Sequence, residues 1–225
     1  MKITWLGQAG LMFDDGKCII LVDSYLSDAC FKKNPKSFRR TPIDESFLNI
    51  CPDVIILTHD HLDHTDGETL SHYLLPDSSV TVLASKNAWE KVRSFGGKNN
   101  YVMFTRGTVW TRDNIKFTAV MAVHSDIEAI GVIIDDGNKK YYVTGDTLYN
   151  EQIFCDIPEG IDTVFLPING VGNNMNADDA KSFSERVGAK NAVPLHFGMF
   201  DEIDPSIFKA ENAVIPKPYK EIELK

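Results

Sequence analysis

The sequence predicts a mixed α/β fold, of the α+β kind in its second half, built from many short strands. Up to about residue 104, apolar runs rich in β-branched residues alternate with segments of helical period. From residue 109 to 143, four such runs are joined by turn-forming residues such as Asp113-Asn114, which indicates antiparallel hairpins. No repeat, low-complexity tract or linker interrupts the 225 residues, so we expect one domain spanning 1–225.

The first half of the chain is expected to alternate strands with short helices. The predicted strands are 3–6, 11–13, 18–22, 53–57, 80–84 and 101–104. Helices are predicted to begin at Thr41-Pro42, to run from 66 to about 74 before Pro76, and to run from 86 to 95 before Gly96-Gly97. Residues 24–40 have no clear period, and a loop of that length is expected to be functional or mobile.

The second half is expected to contain the hairpins and then a return to alternation. Its predicted strands are 109–111, 115–123, 128–134, 139–143, 163–166 and 191–195. Asn176 is a helix-capping residue type and predicts a helix over 177–187, with Ala180, Phe183 and Val187 on one face. A short helix near 205–210 and a final strand near 220–224 complete the prediction.

Composition excludes several classes of partner and location. Hydrophobic residues make up 43% of the chain, enough for a substantial core. The net charge of -9 and the lack of a Lys- and Arg-rich stretch argue against binding long nucleic acid. Four widely spaced cysteines, no secretory leader and no apolar run of membrane-spanning length predict a cytoplasmic protein with reduced thiols and no membrane association. Oligomeric state stays open, a homo-oligomer included.

One segment, 58–64, carries three imidazoles and two carboxylates directly after a predicted buried strand. Loops held by rigid strands commonly carry chemistry. Residues two apart in extended backbone point to the same side, so His59 and His61 are expected to converge on one cation while Asp60 faces away. Beyond Leu62 the chain can turn, so that Asp63 and His64 address a second point nearby.

The composition of this segment indicates a metal site rather than a solvated charged loop. Imidazole nitrogen with carboxylate oxygen suits zinc, manganese or iron, and the lack of cysteine argues against a structural thiolate zinc site. Asp23, His124, Asp146 and His196 each follow a predicted strand. Taken alone, such a residue is more often structural, and Asp23 is a turn former or a carboxylate that orients a ligand histidine. Their recurrence beside the cluster favours a functional role.

These motifs, in this order, resemble the metallo-β-lactamase fold superfamily of metallohydrolases, and the resemblance spans nearly the whole chain. It rests on Asp23, the H-x-H-x-D-H cluster of residues 59–64, the isolated His124, Asp146 in Thr144-Gly145-Asp146-Thr147, and His196 in Pro194-Leu195-His196-Phe197. The resemblance implies a four-layer αββα sandwich, in which two mixed sheets face each other and helices cover both outer sides.

The resemblance also implies two divalent metal ions, zinc first, with manganese or iron as alternatives. It implies three ligands for one ion, three for the second, one bridging carboxylate and one acid hydrogen-bonded to a ligand histidine. The ligands of the first ion would be His59, His61 and His124, and those of the second would be Asp63, His64 and His196. Asp146 would be the bridging carboxylate, and Asp23 would be the acid that is hydrogen-bonded to a ligand histidine. Asp63 is the candidate catalytic residue, because one oxygen can bind metal while the other handles a proton. Asn169, Asn173 and Asn174, in a glycine- and asparagine-rich loop, are candidate substrate-binding residues.

A narrower similarity concerns residues 5–10 and 167–180, which resemble the L-ascorbate-6-phosphate lactonase-like branch. It implies hydrolysis of a small ester or lactone, a sugar-phosphate lactone included. Two alternatives stay open: a phosphodiesterase for small phosphodiesters or cyclic nucleotides, and a non-catalytic metal-binding protein of the same fold. True β-lactamases usually carry cysteine where Asp146 stands, which disfavours antibiotic hydrolysis.

Overall fold

The computed structural model describes residues 1–225 and contains two six-stranded sheets. The first sheet is formed by the first half of the chain, and its strands lie in sequence order. They are β1 (Lys2–Gly7), β2 (Gly10–Asp14), β3 (Ile19–Val22), β4 (Val54–Leu57), β5 (Thr81–Ala84) and β6 (Asn100–Met103). β1, β2 and β3 pair antiparallel, whereas β3 to β6 pair parallel, so the sheet is mixed.

The second sheet is formed by the second half and is also mixed. Its strands are β7 (Val109–Arg112), β8 (Ile115–Met121), β9 (Ile130–Asp135), β10 (Lys140–Val143), β11 (Thr163–Pro167) and β12 (Asn191–Leu195). β7 to β10 form the predicted antiparallel hairpins, and β10 to β12 are parallel. Pro194 lies in β12, an edge strand, where a missing backbone N–H is tolerated.

The chain contains four α-helices, three of which pack on the sheets. They are α1 (Ala29–Lys33), α2 (Gly67–Tyr73), α3 (Lys86–Val92) and α4 (Ala177–Val187). α2 and α3 pack on the first sheet, and α4 packs on the second through Phe183, whose ring lies 6.1 Å from that of Tyr142. The longest helix, α4, has 11 residues, and none of the helices has the length and apolarity needed to cross a membrane.

The core explains why the first sheet is apolar on both faces. Ile20 and Val22 of β3 join a 39-residue cluster that contains residues of both sheets, whereas the intervening Leu21 joins a 13-residue cluster beneath α2 and α3. Alternate residues of a strand point to opposite faces, so a strand covered on both sides must be apolar throughout. The result is the predicted metallo-β-lactamase fold, with two mixed sheets and flanking helices.

Most predicted elements are confirmed to within a few residues, and four are corrected. The final strand near 220–224 is wrong, because that segment makes a single bridge, Thr4 to Glu221, with the edge strand β1. The short helix near 205–210 is one 3-10 turn, Pro205–Ile207, and the helix expected after Thr41 is the 3-10 turn Glu45–Asn49, capped by Asp44. Within 24–40, the short helix α1 replaces part of the expected loop.

Candidate metal centre

The fold collects the predicted site residues at one end of the two sheets. β3, β4, β10 and β12 are followed directly by loops that carry candidate residues, and parallel strands end at the same edge of a sheet. The chain beyond β8 delivers one more histidine to this end. All eight candidate ligand and orienting residues meet there: Asp23, His59, His61, Asp63, His64, His124, Asp146 and His196.

His59, His61 and His124 form the first group. Their ring centroids lie 4.6 to 4.8 Å apart, and their potential ligand atoms all lie within 4.8 Å of one another. Nδ1 of His61 is 3.1 Å from Nε2 of His124. Asp60 faces away, as predicted, and pairs with Lys91. Three converging imidazoles are a donor set that could hold one divalent cation.

Asp63, His64 and His196 form the second group, again with ligand atoms within 4.8 Å of one another. Oδ2 of Asp63 lies 3.3 Å from Nε2 of His196 and 3.7 Å from Nε2 of His64. Two imidazoles and one carboxylate make a harder donor set than the first group. Such a set accommodates zinc, manganese or iron.

Asp146 lies between the two groups. Its Oδ1 is 3.4 Å from Nε2 of His64, and its Oδ2 is 3.1 Å from Nε2 of His196 and 4.0 Å from Nε2 of His124. Gly145 makes this position reachable: its φ of +61° is left-handed, and a Cβ there would lie 2.8 Å from the carbonyl oxygen of Ile130. One carboxylate therefore contacts histidines of both groups.

Hydrogen bonds fix the proton positions on two of the histidines. Oδ2 of Asp23 accepts from Thr58 Oγ1 and, at 2.9 Å, from Nδ1 of His64. With its own hydrogen donated to Asp23, the Thr58 hydroxyl accepts from Nδ1 of His59 at 3.1 Å. Both imidazoles therefore carry hydrogen on Nδ1 and direct Nε2 into the site.

Replacing Asp23 with asparagine is expected to weaken metal binding by about ten- to a hundredfold. The carboxylate accepts at both oxygens: Oδ1 from the backbone N–H of Thr58, and Oδ2 from Thr58 Oγ1 and Nδ1 of His64. The amide of asparagine has only one acceptor oxygen, so it cannot keep all three hydrogen bonds. Asparagine tolerates the left-handed φ of +45° at this position, so the backbone is preserved. Competition titration with a chromophoric chelator measures the effect, with the exposed Asp77→Asn as the matched control. An unchanged dissociation constant would contradict the orienting role.

Burial and neighbouring charge divide the three buried histidines of the site into two kinds. Burial, with the nearby His64, lowers the pKa of His59 well below its ordinary value, so His59 is neutral at pH 7. Burial also lowers the pKa of His196, but the carboxylates of Asp146 and Asp63 outweigh it and raise that pKa to about 10. The same carboxylates hold the pKa of His64 well above its usual range. The second group thus balances its negative charge with protons in the absence of a cation.

Two buried atoms test whether this donor set fits a metal. Nε2 of His59 and Nε2 of His64 are both buried, and neither has a hydrogen-bond partner. An unpaired buried polar atom costs about 1–3 kcal/mol, so a protein rarely retains one without a use for it. Both atoms point into the cluster, beside Asp146. A divalent cation would satisfy them and replace the protons, so the residues fit the metal.

Sequence reasoning missed two supports of this end of the fold. Asp126 accepts from the backbone N–H of Asp60 at 3.0 Å and from the amide of Asn87 at 2.7 Å, and so ties the loop after β4 to α3. Gln8 donates to Oδ2 of Asp63 at 2.8 Å. Neither residue carries a spacing signal, because the partners lie 66 and 55 residues away in sequence.

The candidate substrate-binding asparagines lie against the cluster. The Asn169 amide is 2.9 Å from Nδ1 of His196, and the Asn174 amide donates to Oδ2 of Asp146 at 2.9 Å. The Asn173 carbonyl lies 3.2 Å from Nδ1 of His124 and can only accept, so that nitrogen carries the hydrogen and Nε2 is bare. These contacts add positioning of the ligand candidates, and the substrate role of the three asparagines stays a prediction.

Comparison with known proteins places this geometry in a family. A model of the beta-lactamase superfamily domain matches residues 20–197, a stretch that contains every ligand candidate. A UPF0173 metal-dependent hydrolase from Geobacillus thermodenitrificans is 30% identical over 227 residues, covering 92% of this chain and 91% of the relative. The chain belongs to the UPF0173 family of the beta-lactamase superfamily.

Other relatives agree with the UPF0173 assignment. A UPF0173 protein from Pyrococcus furiosus is 27% identical, covering 94% of this chain and 90% of the relative. Among solved structures, the metallo hydrolase Igni18 from Ignicoccus hospitalis has a TM-score of 0.77 at 19% identity, covering 100% of this chain and 99% of that one. An isothiocyanate hydrolase from Delia radicum gut bacteria has a TM-score of 0.76 at 17% identity and full coverage of both chains. The two structures share the fold.

Proposed function

We propose that this protein is a binuclear metallohydrolase that cleaves a small ester or lactone with an activated water. The observation that carries the proposal is Asp146, which contacts histidines of both three-residue groups. A pair of divalent ions held by these residues would lower the pKa of water toward neutrality and would polarise the attacked oxygen. Two separate groups that share one carboxylate are what such a pair requires.

The first contribution of the chain's own residues is to orient the candidate ligand histidines. Asp23, Thr58 and the Asn173 carbonyl hold hydrogens on the outer nitrogens of three imidazoles, so their Nε2 atoms are left to face the site. Ligands held in this way need no reorganisation when substrate arrives, which is the basis of electrostatic preorganisation. The same carbonyl belongs to the loop 169–174, which places that loop at the edge of the site.

Asp63 is the residue we assign to proton handling. Burial raises the pKa of its carboxyl, but the charges of His64 and His196 lower it well below its usual range, so it is ionised at pH 7. Its Oδ2 faces His196 and Gln8, and the side chain remains 18% exposed. That leaves Oδ1 able to accept a proton from the attacking water and pass it to the leaving oxygen.

Charge favours a neutral ester or lactone over a phosphodiester. The charged groups that act most strongly on Asp63 are His64, His196 and Asp146, and those that act most strongly on Asp146 are the same two histidines. Arg39 is committed to the carbonyl of Tyr25 at 2.7 Å and the hydroxyl of Tyr219 at 3.0 Å. Phosphoryl transfer commonly relies on extra cationic side chains that stabilise the transferred group. Hydrolysis of a neutral ester or lactone does not require these extra cationic side chains.

A substrate panel on metal-stripped and reconstituted protein tests the proposal. We expect zinc-, manganese- or iron-loaded protein to hydrolyse neutral lactones or aryl esters with kcat/KM at least about a hundredfold above that for bis-p-nitrophenyl phosphate or cyclic nucleotides, a gap of about 2.7 kcal/mol. A phosphorylated sugar lactone forms a separate arm. Preference for the diesters would favour a phosphodiesterase, and loaded protein inert toward every arm would favour a metal-binding protein.

A further inference from the structure

Gln8 is a buried polar residue outside the predicted ligand set that nevertheless reaches two of its members. It lies in the turn between β1 and β2 and is 2% exposed. Its Nε2 donates to Oδ2 of Asp63 at 2.8 Å and lies 3.2 and 3.1 Å from Nδ1 and Nε2 of His196. The amide therefore fills the corner between the carboxylate and the second histidine of the second group.

The backbone around Gln8 is built to hold that side chain in place. Its carbonyl oxygen accepts from the Trp5 indole and from the backbone N–H of His196, both at 3.0 Å. Trp5 in turn stacks on Phe197, with ring centroids 4.9 Å apart. The turn after β1 and the end of β12 are thus fixed against each other. The backbone from which the Gln8 side chain extends is therefore held in place.

The backbone conformation at Gln8 is unfavourable for a side chain. Its φ of +50° lies in the left-handed region, where glycine is favoured and a residue with a Cβ costs free energy. Glycines occupy two positions of the same turn, Gly7 and Gly10. A strained residue with a hydrogen bond to a candidate ligand points to a role for the side chain rather than for the turn.

Asp63 depends on Gln8 because its other neighbours have competing uses. Nε2 of His64 and Nε2 of His196 can each either bind a cation or donate to Asp63, but not both at once. With a cation bound, the Gln8 amide is the remaining side-chain donor to Oδ2 of Asp63. An N–H that holds one oxygen stops the carboxylate from rotating, so the other oxygen keeps its direction.

We propose that Gln8 is a positioning residue that locks the Asp63 carboxylate, with Oδ2 toward the second metal and Oδ1 toward the attacking water. The inference rests on the proposed hydrolytic function for its kinetic part. Its metal-binding part stands on geometry alone, because a hydrogen-bonded ligand carboxylate is better oriented for a cation than a rotating one.

The test compares Gln8→Met, which keeps the length and apolar stem but has no N–H, with Gln8→His, which restores an N–H donor. Histidine also tolerates left-handed backbone better than most residues. The matched control is Gln152→Met, because Gln152 is the other glutamine of the chain and is exposed. Thermal unfolding of each variant checks that the fold is retained, and Gln8→Leu serves as a second donor-free variant should Gln8→Met not fold.

Two readouts are measured: metal dissociation constants by chelator competition, and kcat and KM on the best substrate of the panel. We expect Gln8→Met to raise the dissociation constant of the weaker-bound metal about tenfold and to lower kcat about ten- to a hundredfold, with KM changed less than about twofold. Gln8→His should recover most of both losses, and Gln152→Met should match the unmodified protein.

An unchanged metal dissociation constant in Gln8→Met would overturn the proposal, whatever the kinetics show. A raised KM with unchanged kcat would also overturn it, because that pattern indicates a direct substrate contact. If the unmodified protein is inert toward every substrate, the proposed function fails while the metal titration still decides the role of Gln8.

Discussion

Replacing His61 with alanine is expected to remove bound metal from the protein and to lower turnover by about a thousandfold or more. Its Nδ1 lies 3.1 Å from Nε2 of His124, so the change deletes one of three converging nitrogens in the first group. A divalent ion supplies several kcal/mol of transition-state stabilisation, and about 4 kcal/mol corresponds to a factor of a thousand. Metal content by mass spectrometry and steady-state kinetics measure both losses.

His61 suits this experiment because its loss need not unfold the protein. Its side chain is partly exposed, unlike the fully buried His59 and His64. The control is His72→Ala, because His72 is the one histidine of the chain outside the cluster and is exposed on α2. A His61→Ala protein that keeps full metal content with ordinary thermal stability would refute the ligand assignment.

The sequence was most informative where local signals agreed. Helix α4 begins after the capping Asn176, as predicted, because that side chain accepts from the backbone N–H groups of Asp178 and Asp179. It ends at Gly188, whose φ of +69° is left-handed and terminates a helix without Cβ strain. Helix α2 is likewise capped by Asp66. Caps are local in sequence, so they can be predicted before the fold is known.

Pairing over long distances was harder to predict, as the wrong final strand shows. The segment 220–224 has alternating apolar residues, and Ile222 is buried as the pattern indicates. It runs beside β1, and the N–H groups of Tyr219 and Ile222 donate to the carbonyls of Trp5 and Ile3. Two hydrogen bonds and one bridge fall short of a strand. Alternation indicates which side chains are buried, but not how many backbone partners the segment will find.

The site residues also divide into those with a local sequence signal and those without one. The ligand candidates could be predicted from residue type and from their position after strands, and the structure brings all of them together. Gln8 and Asp126 gave no such signal, since an amide or acid in a turn has many ordinary uses. For Asn169 and Asn174 the loop was predicted to face a ligand, whereas their amides contact His196 and Asp146. Which neighbour an amide meets depends on the whole fold.

Removing the metal with a chelator is expected to lower the midpoint of thermal unfolding by about ten degrees. A ligand present at a thousand times its dissociation constant stabilises the folded state by about 4 kcal/mol, and each kcal/mol shifts the midpoint by about 2–4 °C in a chain of this size. The physical source is the cluster itself, where Nε2 of His59 and Nε2 of His64 lose their partner on chelation. Differential scanning calorimetry with and without EDTA measures the shift.

The gap between loaded and chelated protein should widen as the pH rises from 7 to 9. In the chelated protein, Asp146 and Asp63 overcome the effect of burial and raise the pKa of His196 to about 10, whereas the pKa of an unfolded histidine is about 6.5. The folded protein then binds more protons than the unfolded chain, so this contribution is fully present below about pH 6.5 and is lost as the pH rises toward 10.

The pH series separates a metal site from a merely stable histidine cluster. In the loaded protein the cation replaces the protons, so its unfolding midpoint does not fall with deprotonation of His196, and only the chelated midpoint declines. The His72→Ala variant should behave as the unmodified protein throughout, because His72 lies outside the cluster. A chelated midpoint that stays constant from pH 7 to 9, or that declines in parallel with the loaded one, would show that protons and cation do not compete for these side chains.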